Sequence, residues 1–223
     1  MKKSFVIAID GPSASGKGTV AKKIAAHFNL PYLNTGALYR LVALRAIQQN
    51  IDFKNYHPEQ LACHPALVAG SSLLSDISES DLENEELFSE EVGATASIIA
   101  KNQQLRAALF DFQRDFVLKG KNDFGGVVLD GRDTTTVICP DADYKFFITA
   151  AVEIRAQRRF DQLKKQGKEV SYEEILSQLK KRDESDFNRQ EAPLKIAADA
   201  VVIDNGNLSI EEGFQKILQT INS

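Results

Sequence analysis

Gly11-Pro12-Ser13-Ala14-Ser15-Gly16-Lys17-Gly18-Thr19 decides the fold. Two glycines five positions apart, with Lys next, describe a loop that wraps a polyphosphate. The backbone of such a loop comes close to the anion and points several N–H groups inward, which side chains at those glycines would obstruct. The flanks supply the required context. Ser4 to Ile9 is a short, apolar, β-branched run that predicts a strand, and Thr19 to Phe28 has the period of an amphipathic helix. That helix offers its positive end to the anion, and Lys17 reaches between the β- and γ-phosphates as a point charge. After Lys17 comes Gly18 rather than Ser or Thr, and the hydroxyl follows at Thr19. Gly16-Lys17-Gly18-Thr19-Val20-Ala21 also fits a dinucleotide fingerprint by letter. The acid such a site wants about 20 residues further on is missing. Asn34, Thr35 and Gly36 stand there instead, so that reading is set aside.

Outward from the loop, strand and helix signals alternate. Runs from Gly125 to Leu129, Tyr144 to Thr149 and Ala200 to Ile203 predict strands, and Pro31 to Asn34 adds a short one. Helix-period stretches cover Ala151 to Gln166, Tyr172 to Phe187 and Ser209 to Ile221. The pattern predicts an α/β fold: a P-loop, doubly wound parallel sheet of about five strands with helices on both faces. Ala66 to Phe88 fits neither period and reads as an inserted subdomain with short strands.

The chain of 223 residues suits one domain, or one domain with an insert. Lys plus Arg is 27 and Asp plus Glu is 31, giving a net charge of −4, which disfavours a general nucleic-acid face. No apolar run approaches the length of a membrane span. Lys2 and Lys3 precede only Phe5 to Ile9, with no small-residue cleavage site, so the N-terminus reads as a strand rather than a signal peptide. Cys63 and Cys139 have no metal-type spacing and suit a reducing cytosol. From Asn55 to Ala100 there are nine acids and no Lys or Arg, a pattern typical of a solvated surface. That stretch lacks the Gly and terminal Glu of a calcium loop.

A GTP-specific Asn-Lys-x-Asp segment is absent from the sequence, which argues against a hydrolytic switch. Arginines instead mark places for a second anion: Arg40, Arg106, Arg132, Arg182 and Arg189. Arg132 follows Val127-Val128-Leu129, at the carboxyl end of an expected core strand, where ligands bind in open α/β sheets. Asp130 in the same turn is a candidate for Mg²⁺, directly or through water, and Thr19 is a second candidate ligand. Arg182, Asp186 and Arg189 share one helical face at i, i+4 and i+7. The plainer alternative is a surface ion pair worth a few tenths of a kcal/mol.

Taken in order, these motifs resemble the bacterial cytidylate kinases, a branch of the nucleoside monophosphate kinases. The resemblance rests on the G-x-x-x-x-G-K-G-T loop, Thr35-Gly36-Ala37-Leu38-Tyr39-Arg40, and Asp130-Gly131-Arg132-Asp133 leading to Thr136-Val137 and Pro140-Asp141-Ala142. It continues through Arg182-Asp183, Asp186 and Arg189, then Ala192-Pro193-Leu194 and Ala198-Asp199-Ala200. It implies transfer of the ATP γ-phosphoryl group to CMP or dCMP with Mg²⁺. The loop residues Gly11 to Thr19 would bind ATP, under a lid at 155–170 that carries Arg155, Arg158 and Arg159. Arg40, Arg132 and Arg189 would hold the acceptor phosphate, and Thr35 would also bind CMP. Ser97, Arg106 and Asp133 would read cytosine, and Arg182 and Asp186 would meet the ribose. Lys17, Arg132 and Arg189 would carry the transfer itself. The resemblance further implies one kinase domain over 1–223, with an acceptor-side insert at 63–91. A cytoplasmic monomer is expected, without nucleic-acid or membrane partners. The competing readings are a kinase of another acceptor, such as UMP or a metabolite alcohol, and an ATP-binding regulator without transfer activity.

The chain departs from the family's usual letters at four places. Asn34 replaces an Asp, Thr135 a Gly, Phe187 a polar residue, and Leu87-Phe88-Ser89 stands for Ile-Arg-Thr. Thr135 should therefore avoid a backbone conformation open only to glycine, or bear strain.

Overall fold

The computed structural model describes residues 4–53, 64–67, 73–74 and 77–222. They form two compact units: one holds the chain up to Leu33 and from Val117 onward, the other Asn34–Phe116.

The first unit is built on a five-stranded sheet in the order β2-β3-β1-β4-β5. Its strands are β1 (Phe5–Asp10), β2 (Tyr32–Asn34), β3 (Gly126–Gly131), β4 (Tyr144–Thr149) and β5 (Val201–Asp204). β1 pairs in parallel with both β3 and β4, and β4 pairs in parallel with β5. The consequence for function is in the register: Asp10 lies beside Gly131, so the two strand ends carrying the loop and the arginine turn finish side by side. The strands are short apolar runs because most are buried on both faces, as parallel sheets require. Ile7, Ile9, Val128, Phe146 and Ile148 pack with Val20 and Ile24 of α1 (Lys17–Phe28) and with Phe214 and Ile217 of the last helix, Ile210–Asn222. α1 stops at Asn29, whose left-handed backbone (φ 53°) lets the N–H of Leu30 return to the carbonyl of Ala25 at 2.9 Å. Helices Val152–Lys165 and Tyr172–Asn188 share a smaller core of Ala156, Leu163, Ile175 and Leu179.

The second unit is helical. α2 (Thr35–Gln48) begins where Asn34 accepts the N–H of Ala37 at 3.1 Å, so the Asn in place of Asp still caps its helix. A helix over Glu90–Ile99 packs against α2. The short strands expected within 66–88 are not found among the described residues, which form helical turns over Pro65–Leu67, Glu79–Glu83 and Glu85–Phe88. The reason is local. Ser78, Asn84 and Ser89 each accept a backbone N–H two or three residues ahead, and such caps favour helical starts over strand pairing. Cys63 lies outside the described residues, and Cys139 is a buried free thiol. Among the described residues no helix is long and apolar enough to cross a membrane.

Candidate active site

β1 runs directly into the phosphate loop. A Cβ on Gly11 would stand 2.0 Å from the carbonyl oxygen of Ile148, so only glycine lets the chain leave the sheet there. Gly16, at φ 86°, turns the loop into α1 and accepts the N–H of Val20 at 3.1 Å. Lys17 is only 8% exposed and donates to the carbonyl of Pro12 at 3.3 Å. Burial, reinforced by the nearby Arg132 charge, lowers its pKa to about 7. The loop is also held from outside. Asn205, just past β5, donates to the carbonyl of Ser15 at 3.1 Å, and Arg155 donates to that of Ser13 at 3.0 Å.

Of the arginines expected above the donor phosphates, two hold backbone. Arg155 is buried, bonded to Ala150 at 2.9 Å and forked onto Asp183 at 3.2 and 2.5 Å. Arg158 donates to the carbonyls of Asn205 and Gly206 at 2.7 and 3.1 Å, fixing the segment that supports the loop. Arg159, on the same helix, donates to Gln162 at 3.0 Å.

The arginine turn after β3 stands beside the loop. Arg132 donates from Nη2 to the hydroxyl of Ser13 and from Nε to Asp186, both at 2.7 Å. Asp186 therefore pairs across elements with Arg132. Burial would raise the pKa of Asp186, but Arg132, Arg182 and Arg189 outweigh it and hold the carboxyl below its usual value. Arg182 carries a buried Nε with no hydrogen-bond partner among the described residues. Burial, together with repulsion from Arg132, lowers its pKa to about 10. Arg189 caps the helix of Arg182 and Asp186: its N–H still bonds the carbonyl of Ser185 at 3.1 Å, and its charge acts on Asp186. The helix ends at Asn188, because the carbonyl of Asp186 is taken by the N–H of Leu194 at 2.8 Å and Arg189 adopts an extended backbone. Its Nε holds the carbonyl of Ala192 at 2.7 Å, and its Nη2 lies 3.8 Å from the buried carboxylate of Asp133.

Asp130 is buried and accepts the phenolic O–H of Tyr32 at 2.5 Å. Burial raises its pKa, against the pull of Lys17. Its second oxygen faces Gly18, where a Cβ would stand 3.6 Å away. Thr19 is on the exposed side of the first turn of α1. Among the described residues no three His, Cys, Asp or Glu gather as a metal cage. One carboxylate aimed at a phosphate loop nevertheless fits Mg²⁺, which commonly takes one or two carboxylates and draws its remaining ligands from water and substrate phosphates.

In the second unit, Thr35 is buried at the start of α2. Arg40 donates to the carbonyl of Leu87 at 2.6 Å and lies over the Phe88 ring at 5.7 Å. Gly93 makes room for that guanidinium, since a Cβ there would stand 3.1 Å from both Nη atoms. Ser97 donates to Gly93 at 3.0 Å, and Arg106 lies over Tyr39 at 5.8 Å. Asp10, Tyr32, Gly93 and Asn205 escaped the sequence reading. The one available signal was Asp10, an acid closing an otherwise apolar strand.

A lysine-bearing phosphate loop on the central strand, with an arginine turn at the end of the neighbouring strand paired to Asp186, defines a P-loop phosphotransferase. Residues 7–223 match the family described as cytidylate kinase. The chain belongs to that family and is a nucleoside monophosphate kinase. It is 44% identical to the cytidylate kinase of Methylocella silvestris over 98% of this chain and 94% of that one. It is 42% identical to that of Rhodopseudomonas palustris strain CGA009, over 98% and 96%. A crystal structure of an uncharacterised protein from Eubacterium ventriosum shares the fold, with a TM-score of 0.54 at 19% identity and 99% of both chains covered.

Proposed function

We propose that this kinase transfers the γ-phosphoryl group of ATP to the 5′-phosphate of CMP or dCMP, releasing ADP and CDP or dCDP. The observation that carries the reading is Arg132, a half-buried cation bonded at once to the phosphate loop through Ser13 and to Asp186. A protein that only binds or senses ATP has no use for a second arginine cluster beside the loop.

Phosphoryl transfer leaves little covalent chemistry to the protein, so alignment and charge neutralisation dominate. The backbone of Gly11 to Thr19 and the Lys17 ammonium hold the donor phosphates. Asp130 would hold Mg²⁺ directly or through water, with Thr19 as the second candidate ligand; when bound, the metal would neutralise charge on the donor phosphates. Arg40, Arg132 and Arg189 take the acceptor phosphate, and Arg182 and Asp186 the ribose. Asp133, with Ser97 and Arg106, reads the base. A carboxylate accepts from the N4 amino group of cytosine, whereas uracil presents a facing acceptor there. Residues 155–170 form the lid and 63–91 the acceptor-side insert. A cytoplasmic monomer without nucleic-acid partners completes the assignment.

The test is ADP release from ATP and Mg²⁺ with CMP, dCMP, UMP, AMP and shikimate offered separately. Release with CMP and dCMP well above UMP is expected. Equal rates with CMP and UMP would keep the kinase and remove the base-reading role of Asp133. No acceptor-dependent release would overturn the reaction.

A further inference from the structure

Asp133 sits where a helix is ordinarily capped, immediately before the π-helical turn Thr134–Ile138. An Asp in that position normally accepts the N–H of the second or third helical residue. Asp133 makes no capping bond. The N–H groups of Thr134 and Thr135 go instead to Asp10, at 2.9 and 2.8 Å. The two threonine hydroxyls follow, at 2.7 and 2.6 Å, so each carboxylate oxygen of Asp10 receives one N–H and one O–H. Asp10 is completely buried, and its backbone lies in register with Gly131, the residue before the arginine turn. From there its side chain reaches past Arg132 and Asp133 to hold the far side of the turn.

We infer that Asp10 is a specificity-positioning residue: by capping the turn itself, it keeps the Asp133 carboxylate from folding back onto its own helix and presents it to the acceptor base. The inference rests on the base-reading role assigned to Asp133. Buried N–H groups demand an acceptor. If Asp10 no longer accepts, the group placed to replace it is the carboxylate of the cap residue, Asp133. Arg132, on the same turn, is anchored independently through Ser13 and Asp186. Loss of Asp10 should therefore disturb base choice more than donor binding.

Asp10→Asn keeps the size of the side chain but turns an NH₂ toward one pair of donors. The kcat/KM ratio of CMP to UMP should fall about tenfold, as expected when a base-reading hydrogen bond is misplaced, while the KM for ATP stays within about twofold. An unchanged ratio, or an equal loss with both acceptors, overturns the positioning role. Asp133→Asn is measured alongside. If it lowers the ratio and Asp10→Asn does not, the inference fails alone; if neither does, the base reading has failed and the inference with it. Should Asp10→Asn not fold, Thr134→Val combined with Thr135→Val removes both hydroxyl donors and retains the N–H donors. A smaller fall in the ratio supports the role, and a wild-type ratio overturns it.

Discussion

Arg132 donates to the hydroxyl of Ser13 at 2.7 Å, so the turn that follows β3 is bonded to the third residue of the phosphate loop. The same guanidinium holds Asp186 at 2.7 Å, and this double duty needs a planar fork. Arg132→Lys keeps the charge and loses the fork. It should lower kcat by about a hundredfold, the scale expected when a reacting group is displaced by about 1 Å. Steady-state assays with saturating ATP would show it, and a kcat near wild type would confine Arg132 to a charge role.

Lys17 gives a prediction in proton counts. Its folded value of about 7 lies below its ordinary 10.5. Between those values the unfolded chain carries the extra proton, so the stability of the ligand-free enzyme should rise with pH across that window and show no contribution from Lys17 below it. A bound polyphosphate favours the charged ammonium. At pH 8, binding of ATP should therefore take up about one proton, read by calorimetry in buffers of different ionisation enthalpy. No uptake would mean that Lys17 does not face the phosphates. Lys17→Ala should in addition abolish turnover.

Gly93→Ala sets two effects against each other. Alanine favours a helix interior over glycine by roughly 1 kcal/mol, which predicts equal or higher stability. Its Cβ, however, would stand 3.1 Å from both Nη atoms of Arg40 and must displace the guanidinium. A KM for CMP raised about fivefold, with thermal stability kept, is the expected result. An unchanged KM would remove Arg40 from the acceptor site.

Phe146 is fully buried between the sheet and its helices. Phe146→Ala should cost about 3–5 kcal/mol by urea unfolding. A loss below about 1 kcal/mol would mean that this core collapses around the gap.

The sheet and the helices over Lys17–Phe28, Val152–Lys165, Tyr172–Asn188 and Ile210–Asn222 were legible because their periods follow directly from burial, whereas those over Thr35–Gln48, Glu90–Ile99 and Gln103–Lys119 were not read. The helix predicted from Tyr172 to Phe187 extends one residue further, to Asn188. The phosphate loop was legible because glycine and lysine carry its chemistry locally. Arg189 follows the last residue of the helix Tyr172–Asn188 and its N–H still bonds the carbonyl of Ser185, but the bond that turns the chain away there comes from Leu194, beyond any local period. Thr135 lies outside the left-handed region, as its side chain requires, but nothing in the sequence showed that its hydroxyl meets Asp10. Asp10, Tyr32, Asn205 and Gly93 owe their roles to approaches between distant segments: β1 beside β3, β2 beside Asp130, the end of β5 beside the loop, and Arg40 across a helix. Such approaches leave no spacing to read.

The central place of β1 sets a clock as well as a position. Ile7, Ala8 and Ile9 are 0% exposed, with strands hydrogen-bonded on either side. Amides so placed exchange with solvent only when the whole sheet opens. The phosphate loop thus grows from the part of the molecule that lets go last. ATP arrives at a cradle whose root is already immobile, and none of its binding energy is diverted into ordering that root.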